Sequence, residues 1–148
     1  MTDRKILPLA LMRANNEEPV EGRTRLQKMI FLTQKQLEDP DCLNERYDYF
    51  PYDYGPFSKE LYEDIDDLVE DGVIEEREET EEDGKKKYYY ELTSEGEKIL
   101  KDKLQEAGSD SIQDMIDEIK SKYNKMDLSE LLDKIYAKYP DFAEESIL

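Results

Sequence analysis

At 148 residues, 41% of them charged, the chain is sized for one domain, or for a small domain with a helical extension. Only 37% of residues are apolar, so the core must be economical, yet their regular spacing excludes a disordered chain. A net charge of −18 works against polyphosphates and anionic membrane surfaces as partners.

The first expected element is a short helix over Asp3 to Ala14, crowded by Ile6, Leu7, Leu9, Leu11 and Met12. Pro8 fits it only in the first turn, where a missing N–H costs nothing. Asn15 to Glu21, with Pro19, reads as a polar break. A longer helix follows Gly22: Leu26, Met29, Ile30, Thr33 and Leu37 fall at i, i+3, i+4, i+7 and i+11, with Phe31 and Leu32 widening the face. So broad an apolar surface marks a central helix, ended by Asp39-Pro40-Asp41.

Tyr47 to Tyr54 alternates aromatic and acidic residues around Pro51 and reads as a short edge strand or extended segment. Gly55-Pro56-Phe57 reads as a turn, and Ser58 as the N-cap of the next helix. There Leu61, Ile65 and Leu68 share one face, acids fill the remainder, and Gly72 is the expected C-cap. Val73 to Glu79 and Lys85 to Leu92 form a hairpin whose long polar connection gives a wing. Thr93 or Ser94 caps a further helix, and two more follow. One carries Ile112, Met115, Ile116, Ile119 and Tyr123; the other carries Leu131, Leu132, Ile135, Tyr136 and Tyr139 before Pro140.

This order predicts a mainly α fold with a small β-hairpin (α+β), a winged helix-turn-helix core with added N- and C-terminal helices. The expected organisation is a single domain over 1–148, with the winged-helix core in 1–106 and a C-terminal helical extension in 107–148 packing on it.

Two segments taken together resemble a known group. GRTRLQKMIFLTQ, with Arg25, Leu26, Gln27, Lys28, Met29, Ile30 and Phe31, is followed by Tyr54, Gly55, Pro56, Phe57, Ser58, Leu61, Gly72, Val73 and Ile74. This combination, with Tyr139, Pro140 and Phe142 near the end, resembles the YwgA-like uncharacterised proteins, which share features with Panacea-domain antitoxins. The resemblance implies a winged-helix core, no established enzymatic activity, and an antitoxin-like or proteolytic-adaptor role through protein contacts. Tyr90, Leu92, Thr93 and Gly96 match a YxLTxxG pattern common to winged helices generally.

Catalytic chemistry finds little support. The chain has no histidine, which removes the commonest general base, Ser-His and Cys-His nucleophile pairs, and the usual zinc geometries. No glycine-rich phosphate loop is present. Cys42 is the only cysteine, so no internal disulfide is possible, and Asp41 beside it works against a reactive thiolate. The acid pairs lack cation-binding spacing. No enzyme activity, catalytic residue, metal or cofactor is therefore expected. A reducing cytoplasm suits the single cysteine, and no signal peptide or membrane span is evident.

Charge decides the expected partner. The presumptive recognition helix, Ser58 to Gly72, sets Lys59 against Glu60, Glu63, Asp64, Asp66, Asp67, Glu70 and Asp71. The wing sets Arg77, Lys85, Lys86 and Lys87 against eight acids. On that count DNA is disfavoured, and a protein with a basic surface is expected to meet Tyr52, Tyr54, Phe57, Glu60, Glu63, Asp64 and Asp67. The alternative is a DNA-binding transcription regulator, as a homodimer, with Arg23, Arg25, Lys28, Lys85, Lys86 and Lys87 on phosphates. A third reading is a small-molecule sensor with the aromatic cluster as its pocket.

Overall fold

The computed structural model describes residues 3–37, 45–53, 55–107 and 111–143. The expected helix stop at Asp39-Pro40-Asp41, Cys42 and Tyr54 lie outside the described residues.

A 3-10 turn, Asp3–Lys5, leads into α1, Ile6–Glu17. Pro8 falls in its first turn, and every residue from Ile6 to Met12 is buried. The helix breaks at Ala14, where ψ swings to 153°; Asn15, Asn16 and Glu17 then take φ of 55°, 57° and 59°. Asparagine tolerates this left-handed region better than most residues. The chain returns as β1, Val20–Glu21, a two-residue strand where the sequence suggests only a polar break. It is too short to carry an alternation signal.

The second helix, α2 (Arg23–Gln36), buries every residue from Arg25 to Gln34. A helix buried all round belongs at the centre of a fold. Its polar side chains are satisfied by the backbone of neighbouring segments. Gln27 exchanges two bonds with the Ser58 backbone at 2.8 and 2.9 Å, Lys28 donates to the Pro56 carbonyl, and Gln34 clamps the Tyr47 backbone. Polar residues thus replace apolar ones along one side of α2 in order to hold irregular chain.

That chain forms an inserted hairpin, β2 (Phe50–Tyr52) paired antiparallel with β3 (Gly55–Phe57). The expected turn at Gly55-Pro56-Phe57 is therefore a strand. Ser58 caps α3 (Lys59–Glu70), its hydroxyl accepting from Leu61 N, and Gly72 ends the helix at φ +74°. The wing follows as β4 (Ile74–Thr80) and β5 (Lys86–Leu92), in register from Ile74↔Leu92 to Thr80↔Lys86. With β1 the sheet has the order β1-β5-β4.

Three further helices follow among the described residues: α4 (Ser94–Ala107), α5 (Ser111–Tyr123) and α6 (Leu128–Lys138), then a 3-10 turn, Pro140–Ala143. Thr93, not Ser94, caps α4: its hydroxyl accepts from Gly96 N and donates to the carbonyls of Gly72 and Val73. The fold is the expected winged helix, α1-β1-α2-α3-β4-β5, with a hairpin inserted before α3 and helices added after the wing. Buried Lys120 joins α5 to the broken end of α1, donating to the Met12 and Ala14 carbonyls. Arg25 reaches the Tyr123 and Met126 carbonyls after α5. Phe31 on α2 packs edge-on against Tyr49, Tyr139 and Phe142, centroids 4.8 to 5.2 Å apart, and so ties the Pro140–Ala143 turn to the core.

Candidate functional site

The residues singled out by sequence separate into an acidic helix face, an aromatic patch and a basic wing tip. On α3, Lys59, Tyr62, Glu63, Asp66 and Asp67 are exposed, as a helix with Leu61, Ile65 and Leu68 inward requires. Asp64 is not on that face. It is 4% exposed and accepts from Arg4 Nε at 3.0 Å and Tyr47 Oη at 2.8 Å. Glu60, half-buried beside it, accepts from Arg4 and from the Asp48 backbone N–H. These two acids, expected at a partner surface, are internal supports, because the i, i+4 pair faces Arg4 sixty residues away.

Next to the start of α3, the inserted hairpin displays rings. Phe50, Tyr52 and Tyr62 are each more than 40% exposed, and Phe57 contacts all three, centroids 5.1 to 6.1 Å apart. Arg23 closes the edge of the patch, its guanidinium 4.4 Å from the Tyr62 ring centroid. A small cavity of about 100 Å3 lies beneath these rings, between the start of α2 and the hairpin.

The candidate phosphate contacts fare differently from one another. Arg23 is committed to Asp66 at 2.7 Å, to Glu76 at 3.2 Å and to Tyr90 Oη at 2.8 Å, which pins α2 to α3 and to the sheet. Arg25 and Lys28 are buried, and their charged ends point into the fold. Neither can meet a phosphate, because withdrawing it leaves backbone carbonyls unpaired in the interior. Lys85, Lys86 and Lys87 stand exposed at the wing tip. Lys86 contacts Glu78, and Lys87 contacts Glu21 and Glu81, at 3.2 to 3.7 Å. Lys87 is raised above the usual lysine range, chiefly by the charge of Glu21. Such exposed pairs hold their charges weakly and open easily.

Sequence reasoning missed Arg4, which organises the buried acids, and the structural roles of Gln27 and Gln34. No local pattern marks them: their partners are carboxylates or backbone groups brought near only by the tertiary fold. Among the described residues no group of three or more metal-ligating side chains is present, and no helix is long and apolar enough to cross a membrane.

A profile of the transcriptional regulator PadR-like family matches residues 53–102, about a third of the chain. The match begins at Asp53 and covers β3, α3, the wing and the first half of α4. No curated protein matches the chain. This finding corrects the resemblance drawn from the sequence, since nothing supports the YwgA-like or Panacea group. Part of what suggested that group serves the winged-helix architecture itself: the Ser58 cap and the Gly72 stop.

The partner expected from charge counting is corrected as well. A match to transcriptional regulators lies over the very helix and wing whose summed charge argued against DNA and for a basic protein. The sum left out two cations that the fold brings to this region from outside it: Arg4 pairs with Glu60 and Asp64, and Arg23 with Asp66 and Glu76.

Proposed function

We propose that the protein is a winged-helix transcription regulator, without enzymatic activity, that binds DNA in the cytoplasm as a dimer. The observation that carries this reading is the family match over α3, the wing and α4, lying on a winged-helix sheet of order β1-β5-β4. Lys85, Lys86 and Lys87 at the wing tip meet phosphates, and Lys59 in the first turn of α3 adds a contact beside the positive end of the helix dipole. The exposed acids Glu63 and Asp67 on α3 stay clear of the backbone, so the protein approaches wing first. Dimerisation doubles the small number of cations each protomer offers.

The three wing lysines and Lys59 predict a salt dependence of log K on log salt with a slope of about −3.6 per protomer. The test is fluorescence anisotropy on random duplex DNA, beginning at about 50 mM salt, where non-specific binding is strongest. The expected result is binding that weakens steeply with salt and is lost when Lys85, Lys86 and Lys87 are all changed to Gln. No binding at about 50 mM salt overturns the proposal.

A further inference from the structure

Lys28 sits at the wall of the small cavity under the aromatic patch. The cavity is lined by Gln27, Lys28, Tyr52, Gly55, Phe57 and Tyr62, together with the side chains at the start of α2. Lys28 is 2% exposed, and its Nζ donates to the Pro56 carbonyl at 2.8 Å, between cavity-lining Gly55 and Phe57. Among the described residues no carboxylate lies within ion-pair distance of it. A buried ammonium with only a neutral acceptor is costly. Burial accordingly pushes the amine down to about 7. At neutral pH about half of the Lys28 amines then hold a free lone pair, whereas an ordinary surface lysine, near 10.4, does so in fewer than about one molecule in a thousand.

We propose that Lys28 is a nucleophilic lysine that takes short aliphatic aldehydes as a reversible imine inside this cavity. The amine lone pair attacks the carbonyl carbon, and the carbonyl oxygen takes up a proton to give a carbinolamine. Nitrogen then expels that oxygen as water, the hydroxyl taking either nitrogen's remaining proton, which leaves the neutral imine, or a proton from solvent, which leaves the protonated imine; hydrolysis reverses the sequence, and no oxidant or reductant is needed. The room available limits the ligand. At about 30 Å3 per water, 100 Å3 accommodates roughly three heavy atoms, which is what a two- or three-carbon aldehyde leaves in the imine once its oxygen has departed as water, and an aromatic one does not fit. Tyr52, Phe57 and Tyr62 contribute ring faces to the cavity lining.

The test uses the full chain at pH 7 with propanal and sodium cyanoborohydride, which reduces any imine to a stable amine, followed by peptide mapping. Lys28 is expected to be alkylated at least tenfold faster than each exposed lysine, and benzaldehyde is expected to spare it. The ratio of Lys28 to surface labelling should fall as pH rises from 7 to 9, because the surface amines gain roughly a hundredfold in free base over that range and Lys28 only about twofold. Labelling that follows exposure alone, or equal reaction of Lys28 with benzaldehyde, overturns the proposal. The unmodified chain is read directly, so the outcome does not depend on any variant folding.

Discussion

Asp64 lies on the inner side of a helix whose outer side is also acidic, and it holds both Arg4 and Tyr47. Removing a partner from a buried ion pair leaves the other charge stranded, which costs about 3–5 kcal/mol. Arg4 keeps some solvent contact, so Asp64→Ala is expected to cost about 2–4 kcal/mol in urea unfolding. Glu63→Ala and Asp67→Ala, on the exposed face, are expected to stay within about 0.5 kcal/mol of the parent. If all three behave alike, the buried network carries no weight. Gly55 makes a second single-residue case. It has φ +87°, and a Cβ there would meet Leu132 Cδ2 at 3.1 Å and Tyr136 Cε1 at 3.3 Å. Gly55→Ala should therefore cost about 1–3 kcal/mol from strain and overpacking together. Sequence reasoning placed this glycine in a turn but could not see α6 pressing on it.

At the scale of elements, long periodic segments were legible and short irregular ones were not. The face of α2, the cap and stop of α3, and both long wing strands follow from local rules that act within a few residues. The strands β1 and β3 do not, since each is defined by a partner: β1 by Tyr89 and Tyr90 of β5, β3 by the facing hairpin strand. The candidate site divides in the same way. Exposure of Lys85 to Lys87 follows from a polar wing tip, whereas the burial of Arg25 and Lys28 depends on carbonyls at Tyr123, Met126 and Pro56. Thr93 joins two elements through one hydroxyl, capping α4 and binding the carbonyls that lead into β4. Thr93→Ala is expected to cost about 1–2 kcal/mol, the upper part of the range for a lost cap, because the Val73 carbonyl also loses a donor. Thermal unfolding checks this, and a Thr93→Ser control should recover most of the loss.

Across the whole molecule, buried lysines and tyrosines set an unusual pH response. Lys28 and Lys120 are pushed down to about 7 and about 8 by burial, while burial and nearby acids push Tyr47 and Tyr90 up. For a depressed lysine the unfolded chain binds more protons between the folded and unfolded pKa values, so stability rises with pH from about 7 towards 10. For a raised tyrosine the unfolded chain ionises first, so stability falls once pH passes about 10. The unfolding free energy from urea titration should thus increase from pH 7 to pH 9, by on the order of 1–3 kcal/mol, and fall again above about pH 11, where the tyrosine loss overtakes the lysine gain. Lys120→Met should flatten part of the rise while lowering stability at pH 9, since two interior carbonyls lose their donor. Salt adds a second molecule-wide response. A net charge of −18 makes the folded chain repel itself, and shortening the Debye length from ~10 Å at 0.1 M to ~3 Å at 1 M relieves that repulsion. Stability is therefore expected to climb with sodium chloride over the range in which duplex binding by the wing lysines disappears. Measuring both on one preparation separates them: binding lost at a salt concentration where the urea midpoint has risen reflects the phosphate contacts, whereas a midpoint that falls with salt contradicts a fold strained by its own charge.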